Sequence, residues 1–307
     1  MDMPTPGASA NGLLRTRTLA LIGAATGIGC GHPTAAQAPA WLRDHDLVDH
    51  LAAQGVAADW SAIIGTCTDA TPEPVEAIAQ SSRLLAAAVA GAVAEDAPFA
   101  VLGGDHSCAI GTWAGVANTM RPRGALGLLW VDAHMDSHVP ETSPSGFYHG
   151  MPLACLLGHG ANSLTSITDD QPAVLPEHVA VVGIRSFEPE EAALLQRLGV
   201  RIYDMKEIAM RGLAAVMAEA TEIVRRGTVA TGVSIDLDAL DPTEVSAVGS
   251  PEPGGLSVAE LSAALTEFAI DPGVVGCEIV EFNPTLGHAC QTARAIEQLI
   301  VAFQGRR

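Results

Sequence analysis

The sequence predicts a single three-layer α/β/α domain built on a mainly parallel central sheet. Three observations carry this. Short apolar runs alternate with longer helical patterns along the chain; the runs are apolar throughout; and acids and histidines gather just past their ends. A strand that is apolar on both faces has to be covered on both faces, which is the situation of a parallel sheet between helix layers. Ligands of such sheets sit beyond the carboxyl ends of the strands.

In chain order, residues 19–25 (Leu19-Ala20-Leu21-Ile22-Gly23-Ala24-Ala25) form the first strand, followed by a glycine-rich loop, and 62–65 form a weaker one. Residues 74–95 show helical spacing, opened by Thr71-Pro72-Glu73-Pro74, where proline and an acid suit a first turn. Strand 99–103, helix 108–120 and strand 126–132 follow. The second half continues with strand 179–184, helix 188–198, strand 201–203 and helix 207–225. Strand 229–237, helix 258–268, strand 274–281 and helix 289–303 complete it. Residues 1–16 are unpatterned and expected to be a disordered tail, and 17–307 to be one domain, since no linker, composition shift or repeat divides them.

Composition removes several function classes. The 307 residues are 48% hydrophobic with a mean hydropathy of +0.27, enough for a large core. Lys and Arg number 16 against 35 Asp and Glu, a formal charge of −19. That field repels phosphate backbones and anionic headgroups, so neither nucleic acid nor membrane is an expected partner. Lys206 is the only lysine and sits in no matching motif, which excludes Schiff-base enzymes and P-loop kinases. Gly27-Ile28-Gly29-Cys30-Gly31 lacks the third glycine of a dinucleotide fingerprint, and neither G-x-S-x-G nor H-E-x-x-H occurs. The six cysteines (Cys30, Cys67, Cys108, Cys155, Cys277, Cys290) are dispersed without C-x-x-C, as reduced thiols of a cytoplasmic protein would be. The apolar stretch 84–94, bounded by Arg83 and Glu95, is short for a bilayer and reads as a buried helix. Arg15 and Arg17 ahead of residues 19–25 mimic a signal peptide, but Gly23, Gly27 and Gly29 break its apolar region, so this segment is expected to stay as a core strand.

The polar residues that matter fall at strand ends. Gly103-Gly104-Asp105-His106-Ser107 ends one strand and Asp132-Ala133-His134-Met135-Asp136 the next. Ser234-Ile235-Asp236-Leu237-Asp238-Ala239-Leu240-Asp241-Pro242 and Glu281-Phe282-Asn283-Pro284 end two more. On a strand, residues i, i+2 and i+4 share a face, so Asp132, His134 and Asp136 are expected to converge, as are Asp236 and Asp238. A buried strand carries such a set only if something compensates its charge. With His106 the set is two imidazoles and four carboxylates, whose −4 balances two divalent cations. An N/O donor set without thiolate suits manganese, with iron and cobalt left open. His32, His45, His50, His159, His178 and His288 lie outside these clusters and read as surface or capping residues.

The Gly-Gly-Asp-His-Ser, Asp-Ala-His-x-Asp and Ser-x-Asp-x-Asp-x-x-Asp-Pro signatures, in this order, resemble those of the arginase/agmatinase (ureohydrolase) family, over about residues 19–303. The resemblance implies an arginase-like fold and two Mn2+ ions per subunit. One ion would be held by His106, Asp132, Asp136 and Asp236, the other by His134, Asp132, Asp236 and Asp238, with a hydroxide between them as nucleophile. It implies His149 as proton shuttle and Glu281 as the anchor of the guanidinium. Asp105 and Asp241 would shape the ligand loops. A homotrimer or homohexamer is implied as well.

The resemblance also points to substrate-reading positions. Ser145 matches an arginase serine that contacts the substrate carboxylate. His138 stands where arginases usually carry Asn, and Phe147 where they carry another Asn. Glu188 replaces the usual Asp of the amino-group loop, while Glu191 is retained. Arginase activity on L-arginine, giving L-ornithine and urea, is the reading favoured. Agmatinase, guanidinobutyrase or another guanidino or formimino hydrolase is the alternative within the family, and a non-catalytic metal-binding relative is a third reading.

Overall fold

In the computed structural model, residues 18–65, 73–168 and 171–304 are described; residues 1–16, Cys67 and the last three residues lie outside them. Among the described residues, eight strands form one parallel sheet: β1 (Leu19–Ala25), β2 (Ala58–Gly65), β3 (Phe99–Gly103), β4 (Ala125–Val131), β5 (Val179–Ile184), β6 (Arg201–Asp204), β7 (Thr228–Asp236) and β8 (Val274–Val280). Their order is β2-β1-β3-β8-β7-β4-β5-β6, and every pairing is parallel. β3 and β4 are consecutive in the chain but are separated in the sheet by β8 and β7, so the chain changes direction across the centre. Crevices beyond the carboxyl ends form where strand order switches in this way. The site lies there.

The apolar runs bury both faces, as expected from their lack of alternation. In β4, Leu129 and Val131 join the core on one side, with Leu237, Leu261 and Ile296. Leu128 and Trp130 point to the other, with Trp113, Val116 and Leu153. Two-sided burial is what keeps register strict, because a one-residue slip would exchange the two cores.

Helix Pro74–Ala94 is long and apolar enough to cross a bilayer, yet half of it is buried within the protein, with Ile78, Leu85 and Val89 inward. The helix expected over 207–225 is two helices, Met205–Arg211 and Leu213–Arg225, divided at Gly212 (φ +81°). Glycine tolerates that left-handed backbone at little cost, so the division falls on it. Two short helices, Ala38–Asp44 and Leu47–Ala53, were not expected; each is about two turns, too short for a periodic signal.

Candidate functional site

The carboxyl ends of the four central strands supply the site. His106 opens the turn after β3, residues 132–136 follow β4, Asp236 ends β7 and Glu281 follows β8. His106 Nδ1 lies 2.9 Å from Asp136 Oδ2, 3.0 Å from Asp236 Oδ2 and 3.4 Å from Asp132 Oδ2. His134 Nδ1 lies 3.0 Å from Asp238 Oδ2 and 3.7 Å from Asp132 Oδ1. The donor atoms thus form two groups able to hold a metal, His106/Asp132/Asp136/Asp236 and Asp132/His134/Asp238, which share Asp132.

The convergence does not come from strand alternation, which is a correction to the sequence reading. β4 stops at Val131, and the chain turns so that Asp136 adopts φ +46°. Asp238 lies in a 3-10 turn after β7 rather than on the strand. Glu281 likewise has φ +66°. A non-glycine residue held in the left-handed region costs about 1–2 kcal/mol, a cost met at both positions by fixed contacts. Leu153 N–H donates to Asp136 O, and Glu281 N–H donates to Gly104 O at 2.7 Å.

Buried charge dominates the electrostatics. Burial drives Asp136 up, and the neighbouring Asp132 adds to it, so that Asp136 reaches about 6. Burial and the carboxylates of Asp238 and Asp132 hold Asp236 well above its ordinary value. Burial also works against charge on Asp132, but contacts with His106 and His134 outweigh it and leave this carboxyl below its usual range. Burial opposes a charged His106 ring, yet Asp132, Asp136 and Asp236 together raise it well above the usual value. His106 Nδ1 and Asp136 Oδ2 nonetheless remain buried without an aligned hydrogen bond. Buried polar atoms aimed at a common point, in an N/O donor set, fit divalent cations.

Around this centre the acid and histidine side chains are held by further contacts. Trp130 Nε1–H donates to Asp132 Oδ2 at 2.9 Å, and its ring stacks on that of His106 at 4.4 Å. His134 N–H donates to Asp132 Oδ1 (2.7 Å) and Asp238 N–H to Asp236 Oδ1 (2.8 Å). Asp105 accepts from the backbone of Gly29 and Ser107 (3.1 and 3.0 Å), and Asp241 from Thr243, Gly254 and Gly255. Both shape loops. A Cβ on Gly29 would lie 2.4 Å from Asp105 Oδ1, so only glycine permits this approach.

Two residues were missed in the sequence. Glu278 lies within the apolar strand β8, fully buried; a lone acid in such a run is the available signal. It accepts from Trp113 Nε1 (3.0 Å), Thr112 Oγ1 and Ser234 Oγ (2.8 Å), and Ser234 Oγ meets His106 Nε2 at 3.0 Å. Such an outer contact fixes which ring nitrogen faces a metal. Glu278→Ala removes the shared acceptor of three buried donors, of which Thr112 Oγ1 keeps the Cys108 carbonyl at 3.4 Å, and is expected to cost on the order of 3 kcal/mol, read from denaturant unfolding of the metal-free protein. Arg185, the other, donates to the carbonyls of Gly183, Asp238, Ala239 and Glu252 and so ties β5 to the Asp238 turn. Of the histidines read as peripheral, His32 borders the site: a Cβ on Gly249 would meet its ring at 3.2 Å and Glu281 Oε2 at 3.5 Å.

At the mouth, His149 Nδ1 lies 3.2 Å from Glu281 Oε1, which also accepts His106 N–H at 2.7 Å. Burial opposes charge on His149, but Glu281 outweighs it and the ring is pushed up to about 9. A histidine raised on folding contributes stability that is whole below about pH 6.5 and fades as pH climbs through its folded value. Melting of chelator-treated protein is therefore expected to lose stability between neutral pH and about pH 9.5, less steeply in His149→Ala. Ser145 is exposed and accepts from Phe147 N–H at 3.2 Å. Phe147, 42% exposed, sits edge-on to His149 at 6.0 Å. His138, Glu188 and Glu191 form a third group, with His138 Nε2 3.1 Å from Glu188 and 4.0 Å from Glu191. Burial, with Asp136 nearby, raises Glu191 to about 8.

A family model described as the Arginase family matches residues 17–304. The chain is 40% identical over 233 residues to an arginase of Bacillus caldovelox, covering 76% of this chain and 77% of that one. Its fold superposes on a crystal structure of Bacillus subtilis arginase with a TM-score of 0.86, at 32% identity, covering 95% and 99% of the two chains. The structure of Entamoeba histolytica arginase in complex with L-ornithine matches with a TM-score of 0.84, at 26% identity, covering 94% and 99%.

Proposed function

The chain belongs to the arginase family, whose members hydrolyse guanidino carbon–nitrogen bonds, and we propose that its own substrate is L-arginine, cleaved to L-ornithine and urea. The observation that carries this reading is the pairing of Glu281 and His149 beside two acid and histidine groups that share one carboxylate. Bound L-ornithine in the Entamoeba relative supports the choice of substrate.

His106, Asp132, Asp136 and Asp236 would hold one Mn2+, and His134, Asp132, Asp236 and Asp238 the other. When bound, such cations would lower the pKa of water enough to supply hydroxide near neutral pH. Glu281 accepts the guanidinium N–H groups, a charge-assisted contact that fixes the carbon to be attacked. His149, hydrogen-bonded to Glu281, delivers the proton that the departing ornithine amine requires. Ser145, His138, Glu188 and Glu191 read the amino-acid end. A homotrimer or homohexamer in the cytoplasm goes with this reading.

Phe147 favours a second reading. An exposed aromatic ring in the carboxylate-reading loop suits a guanidino compound without a carboxylate, such as agmatine. Urea release by manganese-loaded protein, measured in parallel with L-arginine, agmatine and 4-guanidinobutanoate, separates the two. The proposal expects a clear preference for L-arginine; release only from agmatine or the guanidino acid would replace the substrate and keep the chemistry.

A further inference from the structure

The two imidazoles of the donor groups are backed differently. His106 presents Nδ1 to Asp132, Asp136 and Asp236, while its Nε2 meets Ser234 Oγ at 3.0 Å, and that hydroxyl donates to Glu278 at 2.8 Å in the closed core. His134 presents Nδ1 to Asp238 and Asp132, and its Nε2 faces Glu252 Oε1 at 3.8 Å. Glu252 lies between two prolines, in Pro251-Glu252-Pro253, on the loop that follows the Asp238 turn. Pro251 fixes its own φ and Pro253 disfavours helical backbone at Glu252, so this backbone has little freedom. Arg185 restrains it further. Its guanidinium donates to the carbonyls of Glu252 (2.7 Å) and Pro253 (3.2 Å), and also to that of Asp238 (2.6 Å). One side chain thus holds the turn that carries Asp238 and the loop that carries Glu252. The Glu252 carboxylate itself is 35% exposed, and His134 is the partner it faces.

We infer that Glu252 is a positioning residue for His134, accepting the hydrogen on Nε2 and so holding the ring with Nδ1 toward Asp238 and Asp132; the inference rests on the two-metal reading. A neutral imidazole that offers the lone pair of Nδ1 to a cation must carry its hydrogen on Nε2. A carboxylate opposite that N–H fixes the tautomer and the ring orientation and makes Nδ1 a stronger donor. Glu252 belongs to neither donor group, so it acts only through His134. The 3.8 Å separation is longer than a hydrogen bond, and a small rotation of the exposed side chain closes it while the clamped backbone stays in place. The consequence is an asymmetry between the two metal positions. The one at His106 is backed by a buried hydroxyl and carboxylate, the one at His134 by a single carboxylate open to solvent. Their affinities should therefore respond independently to changes outside the donor atoms.

The test is a titration of chelator-treated wild type, Glu252→Ala and Glu252→Gln with Mn2+, followed through the electron paramagnetic resonance signal of the free ion. Wild type is expected to bind two ions. Glu252→Ala should keep one affinity and weaken the other about tenfold, the lower end of what losing such an outer partner costs. Glu252→Gln, which keeps an oxygen to accept the Nε2 hydrogen, should lose less. Crystals of Glu252→Ala equilibrated at a Mn2+ concentration between the two affinities identify the weakened position. The anomalous peak among His106, Asp136 and Asp236 should persist, and the one beside His134 and Asp238 should fade. Unchanged affinities in Glu252→Ala, equal weakening of both ions, or fading of the His106 peak would overturn the inference. So would a loss in Glu252→Gln as large as in Glu252→Ala, because charge alone would then account for the effect. Wild type that binds fewer than two ions would remove the two-metal reading and the inference together, whereas two ions in wild type and both unaltered in Glu252→Ala would remove the inference alone.

Discussion

Asp132→Ala is expected to lose bound metal and urea release together, with activity falling on the order of 10^3-fold or more. Asp132 is the one residue common to the two groups of donor atoms that converge in the structure, where Asp236 lies in the His106 group alone, so its removal weakens both at once. The damage extends further, because its two oxygens accept from Trp130 Nε1–H and from His134 N–H. Without those bonds the indole loses its buried partner and the loop that presents His134 loses an anchor. Metal per chain, determined by elemental analysis after gel filtration, checks this directly. Two ions retained in Asp132→Ala would refute its place between the groups.

His149→Ala is expected to separate what Asp132→Ala joins. Its ring belongs to neither donor group, so metal content should remain that of the wild type. The rate should fall by about 10^2- to 10^4-fold, the range over which a positioned proton donor contributes. Glu281 would lose one of the partners that hold its carboxyl below the usual range against burial, but would keep the His106 backbone N–H. Paired measurement of metal content and single-turnover rate checks the expectation. A loss of metal in this variant would make His149 part of the donor set instead.

Much of this was legible in the sequence because the same physics acts locally and globally. Strands buried on both faces must be apolar throughout, so 19–25, 99–103 and 179–184 are identical in sequence pattern and in structure. The gathering of acids and histidines was legible because buried ionisable groups at strand ends need a reason. What was not legible depends on where the backbone goes after a strand stops. The left-handed turns at Asp136 and Glu281 bring side chains together in a way that no i, i+2, i+4 rule describes. The contact between His138 and Glu188 spans two loops, and Glu278 sits in a strand whose pattern otherwise conceals it. Arg185 gave no signal at all, since an arginine that donates to backbone carbonyls looks in sequence like any surface arginine.

The most direct measurement is anomalous diffraction at the manganese edge from crystals grown with Mn2+. Two peaks are expected, one among His106, Asp132, Asp136 and Asp236 and the other beside His134 and Asp238, with Asp132 between them. A single peak, or manganese at His138, Glu188 and Glu191 in place of either, would contradict the assignment of this site as a two-metal centre for guanidino hydrolysis.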